Sequence, residues 1–153
     1  MIKAKDVMTR DVITVTPDTE VNEIAKLLLN NHFNGVPVID RNGGLVGIIC
    51  QSDLIAEQKK LPLPSVFSIL DSFIPIHPIK TEKEVKKIAA LKASDAMTRD
   101  PVTVGPDAGI EEVAEIMVNR GLHTIPVIEA GKIVGIIGKE DVLRTLVPSD
   151  KVS

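Results

Sequence analysis

The sequence has no tryptophan, no tyrosine and only three phenylalanines among its 153 residues. Single-stranded nucleic-acid binding needs aromatic platforms for bases to stack on, so this deficit argues against RNA recognition. The core has to be aliphatic, since hydrophobic residues make up 44% of the chain and aromatics 2%. Positive charge is in the minority, with 18 Lys and Arg against 21 Asp and Glu and a formal net charge of −3. With no overall positive field to hold a phosphate backbone or an anionic membrane, any phosphate site must be local. A lone cysteine, Cys50, cannot form an internal disulfide. The opening residues show no charged start, apolar stretch and cleavage site, so a reducing cytoplasm is the expected setting.

Long hydrophobic runs are also missing. The most apolar segment, Leu61 to Ile79, is broken by Pro62, Pro64, Pro75 and Pro78 and contains Asp71, whereas a membrane helix needs about 20 apolar residues in succession. Membrane insertion is not expected. His32, His77 and His123 lie far apart, without the i, i+4 or cysteine-paired spacing of a metal site. Neither a phosphate-binding glycine loop nor a nucleophile with an adjacent base is evident, and the chain reads as non-enzymatic.

What the sequence does contain is a repeat. Asp6, Met8, Thr9, Arg10 and Asp11 recur as Asp95, Met97, Thr98, Arg99 and Asp100, an offset of 89 (97 minus 8). Thr14, Val15, Pro17 and Asp18 match Thr103, Val104, Pro106 and Asp107, and Pro37, Val38 and Ile39 match Pro126, Val127 and Ile128. One residue is then lost in a turn, and Val46 to Ile49 and Asp53 match Val134 to Ile137 and Asp141 at an offset of 88 (141 minus 53).

Each copy reads as β-α-β-β-α. A short β-rich run, Val12 to Thr16 or Val102 to Val104, precedes a helix with Val21, Ile24, Ala25 and Leu28, or Ile110, Val113, Ala114 and Met117, at i, i+3, i+4 and i+7. That spacing puts one face of each helix in the core. Two apolar strands follow, Val36 to Ile39 and Leu45 to Cys50 in the first copy, with Asn42 and Gly43 suited to a tight hairpin. The second copy turns on Ala130 and Gly131. A closing helix starts near Ser52 or Glu140 and carries Leu54 and Ile55, or Val142, Leu143 and Leu146. The expected divisions are 1–60 for the first repeat, 61–93 for the connection and 94–153 for the second repeat. Thr81 and Glu84 form a capping-box pattern opening a connecting helix whose apolar side is Val85, Ile88 and Ala89.

The motifs Asp-Val-Met-Thr-Arg-Asp, Val-Pro-Val-Ile-Asp with Ile-Pro-Val-Ile-Glu, and Val-Gly-Ile-Ile followed by a helix-starting aspartate resemble the cystathionine-β-synthase (CBS) domain. The whole chain is similar to one tandem pair, a Bateman module. The resemblance implies an α/β (α+β) fold in which two repeats pack about a pseudo-two-fold axis and leave two clefts for adenosine-containing ligands. It also implies that Asp53 and Asp141 hold ribose hydroxyls. An ionised carboxylate, being acceptor-only, suits a cis-diol, although an aspartate opening a helix is equally an N-cap.

Cys50 and Gly138 stand where the family pattern has a phosphate-approaching Ser or Thr. Gly138 could instead offer a backbone N–H and Lys139 a charge, which makes the Asp141 cleft the preferred site and the Asp53 cleft the second. Val36, Ile125, Ile48 and Ile136 hold family-like positions for an adenine pocket, with core packing as the other reading. Thr14 and Thr103 belong to the same candidate set. His123, Arg10 and Arg99 are candidates for phosphate contact, or alternatively surface residues. Gly47 and Gly135 inside strands signal the close approach of a ligand or of the other repeat. The implied role is a non-catalytic sensor of AMP, ADP, ATP or S-adenosylmethionine that signals to a partner protein, associates as a homodimer and needs no cofactor. The alternative is a ligand-independent dimerisation or docking scaffold.

Overall fold

A computed structural model of the chain describes residues 1–59, 86–87 and 89–148. The connection Leu61 to Ile79 and the Thr81–Glu84 capping pattern lie outside the described residues, while Lys86, Lys87 and Ala89 are helical.

The chain opens with the short helix α1 (Ala4–Val7), then α2 (Val21–Asn31), whose buried residues Val21, Ile24 and Leu28 form the expected face. Strands β1 (Gly35–Ile39) and β2 (Leu45–Cys50) pair antiparallel and lead into α3 (Gln51–Lys59). The second copy supplies α4 (Ala93–Ala96), β3 (Thr98–Arg99), α5 (Ile110–Arg120), the antiparallel pair β4 (Thr124–Glu129) and β5 (Lys132–Gly138), and α6 (Lys139–Arg144). Among the described residues no helix is long and apolar enough to cross a membrane.

The β-rich runs before α2 and α5 are shorter than expected, reduced to single parallel bridges, Val15 with Val38 and Val104 with Val127. Proline explains the shortening. A parallel bridge at Val15 would extend through the N–H groups of residues 17 and 37, and both are proline, which has none. Pro106 and Pro126 stop the second copy in the same way.

Of the two hairpins, the second turns on Ala130 and Gly131 as expected and the first departs from expectation. In the second, Ala130 (φ 52°) and Gly131 (φ 77°) both adopt positive φ and form the tight two-residue turn. In the first, only Gly43 does so (φ 80°). Its longer loop is organised by Asp40, whose carboxylate accepts the N–H groups of Asn42 and Gly44, both at 2.9 Å. The Asp40 side chain is short enough to reach its own loop amides; Glu129 takes its place in the second copy.

The two copies exchange their openings. Ala4 of α1 lies in the core formed by Val104, Val113, Ile125, Val127 and Ile137, whereas Ala93 of α4 lies in the core of Val15, Ile24, Leu28, Val36 and Ile49. Hydrogen bonds repeat the exchange: Ala4 N–H donates to Ala108 O at 2.7 Å, and Ala93 N–H to Thr19 O at 2.8 Å. Thr9 bridges Ile136 of β5, and β3 pairs with β2 through Thr98 and Ile48. When i of one copy meets j of the other and j meets i, the contact has two-fold character.

Gly47 and Gly135 are where this exchange requires glycine. A Cβ on Gly47 would lie 3.0 Å from Met97 Cγ, and one on Gly135 would lie 2.7 Å from Met8 Cγ. The methionine of each copy's opening motif therefore lies directly over the strand glycine of the other copy, and packing between repeats accounts for both glycines.

Candidate functional site

Asp53 and Asp141 take the third position of α3 and α6, where a carboxylate can reach back to the start of the helix. Asp53 Oδ2 accepts the Cys50 N–H and Asp141 Oδ2 the Gly138 N–H, both at 2.8 Å. Capping therefore occurs, but from the third helical residue rather than from the N-cap. The remaining oxygens differ. Asp53 Oδ1 accepts the Thr98 hydroxyl at 3.1 Å, while Asp141 Oδ1 accepts Arg144 Nη1 at 2.8 Å. A carboxylate offers about four acceptor positions, so each keeps capacity for a diol.

A cavity of about 290 Å³ lies beside Asp141, and both copies build it. The first copy contributes Thr9, Asp11, Val12 and Ile13 from its exchanged opening, and Asn31, His32, Phe33, Asn34 and Gly35 from the turn between α2 and β1. The second contributes Thr124 and Ile136 from its hairpin, and Gly138, Glu140, Asp141 and Arg144 from the start of α6. The volume is at the lower end of the range for small-molecule pockets. His32 closes α2 in the left-handed region (φ 56°), where the second copy has Gly121 (φ 63°). A non-glycine residue held there stores strain of order 1 kcal/mol at the cavity wall.

Of the residues proposed from sequence, Ile136, Gly138 and Asp141 meet at this cavity. Lys139 and His123 are exposed and do not line it; the Lys139 N–H is bound to His123 O at 3.0 Å. Arg10 directs Nη2 to Lys5 O at 3.3 Å, and Arg99 is exposed on β3. Val36 and Ile125 are fully enclosed in the two cores, and Ile48 is buried and paired with Thr98 of β3. Thr14 is half-buried, and Thr103 is exposed on a separate shallow depression with Asp100 and Gly131.

Asp11, His32, Glu140 and Arg144 were not singled out for the cavity. Arg144 carried a usable signal, since it stands three residues after Asp141, within reach on a helix. The His32 segment carried none, because only the packing of the two copies brings it to α6. The Cys50 thiol is pushed up to about 11, first by burial and then by the charge of Asp53. It remains protonated at neutral pH and gives no reactive thiolate.

The sequence profile of the CBS domain matches residues 4–60 and 93–148. The chain belongs to the CBS domain family. This CBS pair is 29% identical over 157 aligned residues to protein MJ1426 of Methanocaldococcus jannaschii, an alignment covering 94% of the chain and 90% of that protein. Against the chloroplastic CBS domain-containing protein CBSX1 of Arabidopsis thaliana it is 31% identical over 143 residues, covering 88% of the chain and 58% of the relative. The crystal structure of CBSX2 in complex with AMP superposes with a TM-score of 0.72 at 27% identity, covering 96% of the chain and 97% of that protein. A further structure of CBSX2, from Arabidopsis thaliana, gives a TM-score of 0.71 at 26% identity over 99% of the chain and 98% of its own.

Proposed function

We propose that this CBS pair is a non-catalytic sensor that binds an adenosine-containing small molecule at Asp141 and transmits occupancy to a partner protein. The observation that carries the reading is the cavity beside Asp141, walled by both copies. A ligand bridging two repeats alters their relative position, and a difference in that position is what a partner can detect. The similarity to CBSX2, crystallised with AMP, supports an adenosine compound as the ligand class. Asp141 receives the ribose diol, and the Asp53 cleft is the weaker counterpart.

A melting scan against adenosine compounds tests this. Ligand at about 100 times its dissociation constant should stabilise the fold by about 2.7 kcal/mol, or about 5 to 11 °C at this size. No shift with any member of the panel would overturn the reading.

The partner surface includes a second copy of the chain. Leu29 and Val118 are 72% and 79% exposed, and Ile55 and Leu143 are 66% and 56% exposed. These are repeat-matched pairs (118 minus 29 is 89; 143 minus 55 is 88), so both copies expose apolar side chains at the same positions, a surface that self-association would cover. Light scattering should report a dimer that Leu29→Glu combined with Val118→Glu converts to a monomer. The competing scaffold reading draws on the same apolar faces and predicts association that no adenosine compound changes.

A further inference from the structure

We infer that the ligand this cavity selects carries no phosphate: an uncharged or cationic 5′-substituted adenosine rather than a nucleotide. The inference depends on the adenosine reading above and narrows it. Three carboxylates line the cavity, Asp11, Glu140 and Asp141. Arg144 also lines it, with its Nη1 paired to Asp141 Oδ1 at 2.8 Å. Three negative charges against one positive leave an excess of two with His32 neutral, and of one with His32 protonated.

Apart from Arg144 and His32, the basic side chains that would offset a phosphate are elsewhere. Among the described residues, Lys139, His123 and Arg10 do not line the cavity. At the start of α6 two backbone donors are already engaged, the Gly138 N–H by Asp141 and the Lys139 N–H by His123 O. A phosphate entering here would meet like charge in a partly enclosed space, where charges interact several times more strongly than in bulk water. A neutral 5′ group avoids that penalty, and a cationic sulfonium or ammonium turns the same charges to advantage. This preference is a property of the chain's own cavity and stands apart from the AMP bound to CBSX2.

Isothermal titration of the full chain with adenosine, 5′-methylthioadenosine, S-adenosylmethionine, AMP and ATP tests the inference. Methylthioadenosine should bind at least about tenfold tighter than AMP, with ATP weaker still. Raising the salt concentration should strengthen AMP binding and weaken S-adenosylmethionine binding, a readout that needs no variant. Asp11→Asn combined with Glu140→Gln should reduce the AMP-to-methylthioadenosine ratio of dissociation constants by at least about fivefold. AMP or ATP binding as tightly as the nucleosides would overturn the charge argument and leave the adenosine reading standing. Silence across the whole panel would end both. A variant with an unchanged ratio and a native melting curve would also overturn the inference.

Discussion

Asp53 and Asp141 are the same residue in two copies of one motif, with the same backbone hydrogen bond at 2.8 Å, yet their second oxygens meet different groups. Asp53 meets Thr98, the hydroxyl of the exchanged motif. Asp141 meets Arg144, whose counterpart in the first copy is Ala56 (144 minus 88). Glu140 likewise replaces Ser52, and His32 replaces Gly121 on the opposite wall. Duplication therefore preserved the contacts that hold the halves together and let the surroundings of the two carboxylates diverge. The difference shows that the scaffold is symmetric while the chemistry is not.

The largest expected effect is on ligand affinity. Asp141→Ala removes two hydrogen bonds to a charged acceptor, each worth about 1.5–3 kcal/mol, so binding measured by titration should weaken by at least about a hundredfold. Asp53→Ala should weaken the tighter site by less than about threefold. Asp141→Asn, which keeps an acceptor for Gly138, separates ligand loss from loss of the helix cap. Equal losses at the two aspartates would break the comparison.

Next in size is the exchange itself. Gly135→Ala and Gly47→Ala should each cost about 1–3 kcal/mol in urea unfolding through overpacking. The three atoms nearest the new methyl on Gly135 belong to the Met8 side chain, whereas on Gly47 they include Thr98 O of the backbone at 3.0 Å. Met8→Ala should therefore recover most of the Gly135→Ala loss, and Met97→Ala less of the Gly47→Ala loss. Identical recovery would show that the two contacts are equally yielding.

A smaller contrast lies at the helix ends. His32→Gly should stabilise the fold by about 0.5–1 kcal/mol by relieving left-handed backbone strain, and Gly121→Ala should destabilise it by a similar amount. Loss of stability in His32→Gly would mean that its side chain contributes more at the cavity wall than its backbone costs. An effect confined to alkaline pH concerns Cys50, which the second copy replaces with Gly138. Its thiol is raised from 9.0 to about 11, so the unfolded chain ionises first. Stability should fall between those values as pH rises, and Cys50→Ala should flatten that part of the profile.

Much of this was legible in the residues. The repeat at an offset of 89, the helix faces of Ile24 and Val113 and the strands on either side of each turn follow from spacing and apolar periodicity, because those patterns bury locally on one face. The two aspartates stood out for the same reason, as matched residues at helix starts. Cavity residues such as His32 and Asp11 did not, because their partners lie on α6, more than a hundred residues away along the chain. Lys139 and His123 were legible as charge, but which way their side chains face is a tertiary matter.

The amino-acid pattern by itself determined that there are two β-α-β-β-α copies, and its prolines determined that the flanking strands stop at one bridge, since a missing N–H cannot be restored by any packing. Only the tertiary structure decided that each copy's opening completes the other's core. Met8 and Met97 could have covered a strand in their own copy; the glycines at 135 and 47 made room in the other. The packing of the two copies brings Asp11 and His32 to the cavity beside Asp141, because the charges around a cavity are the sum of distant segments that only folding brings together.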